Sequence, residues 1–361
     1  MSRKHRHGKS NLDDIELQAR VCELFLGGKN IDEIVKILEN DGIFLSRSRP
    51  YEILREAADN KRFRYAPAPS IRFMEALVER FPRLDTRLDV VHSIEADHIA
   101  GRAAEKLLQI ISESQSGSGP KTEFHIGFAG GRLLELTASL LSDKLREVPT
   151  RLPRTLYFHS LVARFDDDPV MDPNSFVRHF ILGPPLPLEV RFVGLMAPGF
   201  VNTETVEQLR KIEGIREAFE KVKDLDLLVT SAGGHWTSGC SRLHQLYELS
   251  HQEDLLNELN AKHCVGDLMW CPVGKDGPIE LRHGKRAMTL VDLVDLPTLI
   301  GQGKRVMLVL GPCNTCHEPK SEILRSLLKM RQLLISNLVV DSFTARRVLA
   351  ELEEEAATTT A

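Results

Sequence analysis

The sequence predicts an α/β protein in which an N-terminal all-α segment precedes a doubly wound, mainly parallel sheet. Three observations point there. Between Asp13 and Ala57, apolar residues recur at helical spacing in three short stretches separated by glycine and turn signals. After a Pro-rich break at residues 66–70 (APAPS), strand-like apolar runs alternate with helical stretches to the end of the chain. Three of those runs end in glycine-bearing turns leading toward a helix.

Taken in order, residues 1–11 (MSRKHRHGKSN) are polar and basic with no apolar period, which makes them a disordered basic arm. Ile15, Leu17, Val21, Leu24 and Phe25 share one face of a first helix that stops at Gly27-Gly28. Asn30 can cap a second helix, IDEIVKILEN, with Ile31, Ile34, Val35 and Leu38 as its buried stripe. Asp41-Gly42 signals a turn. Ser46 or Ser48 then caps a third helix, which tolerates Pro50 in its first turn and points Tyr51, Ile53, Leu54 and Ala57 inward. The resulting division is a basic arm (1–11), a helical domain (12–65), a linker (66–93) and an α/β domain (94–361).

In the larger domain a helix from Ile94 to Ser112 leads through the polar loop SESQSGSGPK to a strand, TEFHIGFAG, and a helix, GRLLELTASLLSDKL. Later strands are TLYFHSLV, LEVRFVGLMA, LDLLVTSAGG, RVMLVLG and SNLVVD. The Glu-rich tail ELEEEAATTTA reads as a fraying helix end.

The totals exclude several classes. A chain of 361 residues, 42% hydrophobic and 27% charged, has the composition of a soluble globular protein with more than one domain. It has no run of about 18 uncharged apolar residues, so no membrane span is expected. The basic start leads into no apolar secretory segment, and six cysteines without one point to reduced thiols and a cytoplasmic setting. Net charge is −4, but it is unevenly spread. Residues 1–65 hold 13 Lys/Arg and 11 Asp/Glu, whereas 45–65 alone hold six basic and three acidic residues. A local basic face on an acidic body suits contact with nucleic acid.

Two short helices, a turn and an arginine-bearing third helix make a helix-turn-helix, whose last helix needs basic or polar N-terminal residues to reach base edges. Arg47, Ser48, Arg49, Tyr51 and Arg55 are the candidates for that role, and Lys61, Arg62 and Arg64 for phosphate contacts. The same pattern also fits a plain three-helix bundle with a solvated charged face.

Ligands of open parallel sheets bind beyond the strands' C-terminal ends, beside helix N-termini. Three strand ends qualify: Gly127 to Arg132, Ser231 to Gly234, and Gly311-Pro312 with the loop reaching Lys320. Each alone could be a tight turn. Together, with Arg132, Arg164 and Lys320 at hand, they favour a phosphate-bearing ligand.

Several segments in register resemble the sugar-binding domain of SorC-type transcriptional regulators over roughly residues 94–350. That family has an alanine-rich helix followed by a strand and a G-x-x-x-G-R-T loop; here these are AAEKLLQII and HIGFAGGRLLELTASLL. Its V-G-D-I segment appears as Val265-Gly266-Asp267-Leu268. Its G-G-x-x-K segment appears as Gly311-Pro312 to Lys320, with extra residues in the loop, and its N-L-V-T-D ending as Asn337 to Asp341. Two positions depart from the pattern: Leu133 stands for the threonine and Pro312 for the second glycine.

The resemblance implies a fold like the NagB/RpiA sugar-phosphate isomerases without their catalysis, a phosphorylated sugar effector, operator DNA with palindromic half-sites, and a homodimer or homotetramer. It also implies site roles. Gly130, Gly131 and Arg132 would hold phosphate or sugar oxygens, with Arg164, Asn174 and Gly233 near the ligand. Asp267 would accept sugar hydroxyls and Lys320 would pair with phosphate. Neither a cofactor nor a metal is expected.

Other signals weigh less. Cys313-Asn314-Thr315-Cys316-His317 reads literally as a haem-attachment motif, but no export signal accompanies it. As a zinc site it lacks a second Cys/His pair at finger spacing, so these residues are read as loop, with metal binding or redox-sensitive thiols as lesser readings. His235-Trp236 could stack on a sugar ring, although a packed Trp is the plainer reading. Asp166 to Asp168 read as a solvated charge run. The competing function is a sugar-phosphate isomerase or deaminase with an accessory N-terminal domain, for which Asp267 and His263 are the nearby acid/base candidates.

Overall fold

The computed structural model describes residues 14–59, 67–85, 87–116, 119–147, 152–164 and 171–360, and the chain divides after Tyr65 into two compact units. The basic arm, Lys61, Arg62, Arg64 and Asp166 to Asp168 lie outside the described residues.

In the first unit α1 (Asp14–Leu26), α2 (Ile31–Asn40) and α3 (Arg49–Asp59) enclose a core that includes Leu17, Val21, Ile34, Leu38, Ile43 and Ile53. The 3–4 spacing of these residues puts them on one stripe of each helix. Asn30 caps α2 reciprocally: its Oδ1 accepts from the Glu33 N–H at 3.0 Å, and Glu33 accepts from the Asn30 N–H at 2.9 Å. Tyr51 departs from the inward placement and is 56% exposed, because Pro50, Ile53 and Ala57 take the buried stripe of α3.

The second unit contains the helices α4 (Ile71–Arg80), α5 (Ala96–Glu113), α6 (Arg132–Glu147), α7 (Arg178–Ile181), α8 (Val206–Leu209), α9 (Arg216–Glu220), α10 (Arg242–Leu249), α11 (Glu253–Ala261), α12 (Leu296–Gly301), α13 (Ser321–Lys329) and α14 (Ser342–Thr360). Its strands are β1 (Leu88–Val91), β2 (Glu123–Phe128), β3 (Thr155–Ser160), β4 (Glu189–Val193), β5 (Phe200–Asn202), β6 (Leu227–Thr230), β7 (Ala232–Gly233), β8 (Cys264–Leu268), β9 (Cys271–Gly274), β10 (Gly277–Pro278), β11 (Lys285–Ala287), β12 (Arg305–Leu310) and β13 (Asn337–Asp341).

Among the described residues seven strands form one sheet, in the order β1-β13-β12-β6-β2-β3-β4, with every pairing parallel. β13 and β6 are buried at every position, as expected of central strands covered on both faces. From β2 the chain runs outward one way to β3 and β4, then returns to the other side of β2 as β6 and moves on to β12 and β13. The order therefore reverses between β2 and β6, which is where a doubly wound sheet opens a crevice.

Two features depart from the sequence-based expectation. Residues 66–93 are not a linker: they supply α4 and the edge strand β1, whose Val90 and Val91 are buried and whose backbone pairs with Leu338 to Asp341. Four residues (LDVV) give too short a period to read as a strand. The second feature is an antiparallel sheet, β10-β9-β8-β7, grown from the end of β6. It converts the second glycine-bearing strand end, Ser231 to Gly234, into a hairpin platform. The Glu-rich tail continues α14, with Glu351 and Glu355 paired to Arg325.

Candidate functional site

A cavity of about 950 Å³ opens at the C-terminal ends of β2, β6 and β12. Six of the eight residues placed at the ligand by sequence lie on it: Gly130, Gly131, Arg132, Gly233, Asp267 and Lys320. Each is delivered by a different local device.

β2 ends at Phe128, and Gly130-Gly131 turns the chain into the first residue of α6, Arg132. The turn requires glycine at Gly130, because a Cβ there would stand 2.2 Å from the carbonyl oxygen of Met171. Gly233 in β7 faces Asp267 in β8 across the antiparallel pair. A Cβ on Gly233 would stand 1.9 Å from Asp267 Oδ2, so the glycine makes room for the carboxylate. That carboxylate is buried and accepts backbone N–H bonds from Gly233 and Trp270. Burial pushes Asp267 up to about 6, against the opposing pull of Lys320 and those two N–H groups. Lys320, at the start of α13, donates from Nζ to the Ala232 carbonyl at 2.8 Å, and burial lowers its pKa against the influence of Cys313, Asp267 and Asp341.

Asp267 and Lys320 are thus two buried groups of opposite sign that feel each other's charge, while Arg132 and Arg242 add cationic groups to the same wall. An anion meets cations and a helix N-terminus here, and hydroxyls meet a carboxylate acceptor.

Arg164 and Asn174 do not line this cavity. The Arg164 backbone bridges to Pro198 and its side chain is exposed. Asn174 is consumed locally: its Oδ1 accepts from the Leu195 N–H at 3.1 Å and its Nδ2 donates to Asp172 at 2.9 Å, stitching the loop to the segment after β4. Met171, from the same loop, is the residue that reaches the cavity.

The sequence also did not reveal Met269 and Trp270. They form the two-residue turn between β8 and β9, at φ 52° and 62°, and both line the cavity. Two consecutive left-handed residues are what a type I′ hairpin requires. Without glycine the turn costs about 1–2 kcal/mol per residue, and such strain gathers where a site must be held in shape. The other tryptophan, Trp236, is core: it is 1% exposed, with Nε1 donating to Asn260 at 2.8 Å. His263 is exposed and not on the cavity wall, which leaves Asp267 alone of the two acid/base candidates.

At the helix-turn-helix two of the three candidate arginines of the third-helix region are already paired. Arg47 pairs with Asp32 at 2.8 Å, and Arg49 with Glu52 at 3.1 Å and Glu56 at 3.2 Å. Glu52 and Glu56 sit one turn and two turns along α3 itself, a spacing that helix geometry brings together, whereas Asp32 belongs to α2. Ser48 is exposed and shares a 3.1 Å hydrogen bond with Ser46, and Tyr51 and Arg55 are exposed.

No protein-family model and no curated protein matches the chain. Solved structures do. The full-length sorbitol operon regulator SorC from Klebsiella pneumoniae superposes with a TM-score of 0.65 at 15% identity, covering 94% of this chain and 100% of its own. The fold is that of the SorC regulators. A DeoR family transcriptional regulator from Listeria monocytogenes (TM-score 0.52, 18% identity) covers 77% of this chain and 99% of its own. A proposed sugar-binding domain of a transcriptional repressor from Vibrio fischeri (TM-score 0.54, 16% identity) covers 79% and 100%. The expected α/β architecture and the SorC-like organisation are therefore borne out at the level of fold. No described helix is long and apolar enough to cross a membrane.

Proposed function

We propose that this chain is a sequence-specific DNA-binding transcriptional regulator whose DNA affinity is set by a phosphorylated sugar. The observation that carries the reading is the meeting of Gly130 to Arg132, Gly233, Asp267 and Lys320 on one cavity at the point where strand order reverses. In this reading Lys320 and the α6 N-terminus take the phosphate and Asp267 takes sugar hydroxyls. The helix-turn-helix unit reads operator half-sites, arranged as a palindrome to match a homodimer or homotetramer. Coupling between effector and operator of this kind is worth about 1–3 kcal/mol, or roughly 5–150-fold in affinity.

The test is DNA-binding anisotropy with and without a panel of sugar phosphates. Lys320→Ala is expected to keep its effector-free DNA affinity and lose the response, with phosphosugar binding weakened about 30-fold or more. A normal response in that variant places the phosphate elsewhere. A second reading, a sugar-phosphate isomerase, is favoured by one observation: a buried carboxylate titrating at about 6 is suited to proton transfer. Turnover of any sugar phosphate in the same panel, abolished by Asp267→Asn, would decide for it.

A further inference from the structure

The loop after β12 closes on itself. Cys313 N–H donates to the Glu318 carbonyl and His317 N–H to the Cys313 carbonyl, both at 2.9 Å. The Cys313 sulfur accepts backbone hydrogen bonds from Thr315 and Cys316, and the Cys316 sulfur accepts one from Glu318. A Cys-x-x-Cys turn held in this way aims two sulfurs at one point. A third arrives from another part of the chain: the Sγ atoms of Cys240, Cys313 and Cys316 all lie within 4.8 Å of one another. All three thiols are free, and none is fully exposed.

We propose that Cys240, Cys313 and Cys316 form a three-sulfur site for a thiophilic divalent ion of the zinc type. This goes beyond the effector reading and does not rest on it. Sulfurs bound at about 2.3 Å to one tetrahedral ion stand roughly 3.8 Å apart, so the observed grouping needs only small side-chain rotations to close. Thiolates select soft or borderline ions over magnesium or calcium. Charge also fits: three thiolates and a dication leave one negative charge, and Lys320 is close enough to both Cys313 and Cys316 to feel them. A pure disulfide switch would explain Cys313 and Cys316 but give Cys240 no part. Three protein ligands leave a fourth position, and because Cys240 and Cys313 line the large cavity, water or a ligand oxygen from that cavity can fill it.

The experiment titrates the full-length, reduced, metal-free protein with Co(II), followed by absorbance. One equivalent per chain is expected, with sulfur-to-cobalt charge-transfer bands that Zn(II) displaces. Cys313→Ser should abolish the signal, Cys240→Ser should weaken binding at least tenfold, and Cys22→Ser should leave it unchanged. A footprint on the unaltered protein guards against misfolded variants: Zn(II) should shield Cys240, Cys313 and Cys316 from iodoacetamide while Cys22, in the other unit, stays reactive. The proposal is overturned by the absence of charge-transfer bands, by full-strength binding in Cys240→Ser, or by iodoacetamide labelling of Cys240, Cys313 and Cys316 that Zn(II) leaves unchanged. Neither set of outcomes depends on whether a sugar phosphate binds.

Discussion

The cavity wall and helix α3 handle charge in opposite ways. In the cavity, Asp267 and Lys320 sit among groups that cannot rearrange cheaply: the carboxylate is 5% exposed and enclosed by Gly233 and the turn after β8. On α3 the charges are at the surface and already paired, Arg49 to Glu52 and Glu56, and Arg47, just before the helix, to Asp32. Surface pairs are worth about 0–1 kcal/mol, so a phosphate can break them at little cost. A buried group that loses its partner costs several times more. The contrast is between a preorganised site and an adaptable surface.

The strongest way to break that contrast is at Asp267. Its folded pKa of about 6 lies above its ordinary 3.8, so neutral Asp267 is favoured in the fold. The stability this confers is fully present at low pH and is lost as pH rises through about 6, amounting to roughly 3 kcal/mol for a shift of this size. Effector affinity should run the other way, falling about tenfold per unit as pH drops below 6 and the carboxylate acceptor is lost. Asp267→Asn is expected to flatten both curves and to weaken sugar binding by more than tenfold; thermal melts from about pH 3 to pH 7, spanning both pKa values, and calorimetry across about pH 5–8 check this. A variant that retains both pH dependences removes Asp267 from the site.

On α3 the expected effects are smaller. Arg55→Ala should cost about tenfold in operator affinity, within the range for a single specific or phosphate contact. Arg49→Ala should cost less, since binding must first release the guanidinium from two carboxylates. Glu52→Gln combined with Glu56→Gln should therefore raise DNA affinity a few-fold. Anisotropy at two salt concentrations measures all three, and a larger loss at Arg49 than at Arg55 would show that the ion pairs do not hold it back.

A similarly small effect is expected at Leu133, which lines the cavity beside Gly311 where the SorC pattern has threonine. Leu133→Thr should improve phosphosugar affinity about fivefold if a hydroxyl donor reaches the anion, equivalent to one ordinary hydrogen bond. Calorimetry with the best ligand of the panel reads it.

What was legible in the sequence follows from range. The strand-end glycines, Asp267 and Lys320 could be found because a turn into a helix leaves a local signature and several such segments stood in register. Arg164 and Asn174 were misplaced because their loop was assigned as a block, while only Met171 of its described residues reaches the wall. β1 was missed because four residues give no measurable period. Cys240 was invisible beside Cys313 and Cys316, since only the tertiary fold brings these segments together. The ion pairs of α3 were readable in principle: Arg49, Glu52 and Glu56 are spaced to meet on one helix face. Counting basic residues concealed that their partners came with them.

The hairpin turn that places Trp270 on the cavity has an optical consequence. The chain has two tryptophans, and they occupy contrasting settings: Trp236 is sealed and hydrogen-bonded to Asn260, whereas Trp270 borders the space that an occupant would fill. Ultraviolet emission from the unlabelled protein therefore contains a fixed reference and a responsive reporter, so occupancy can be followed with no dye attached.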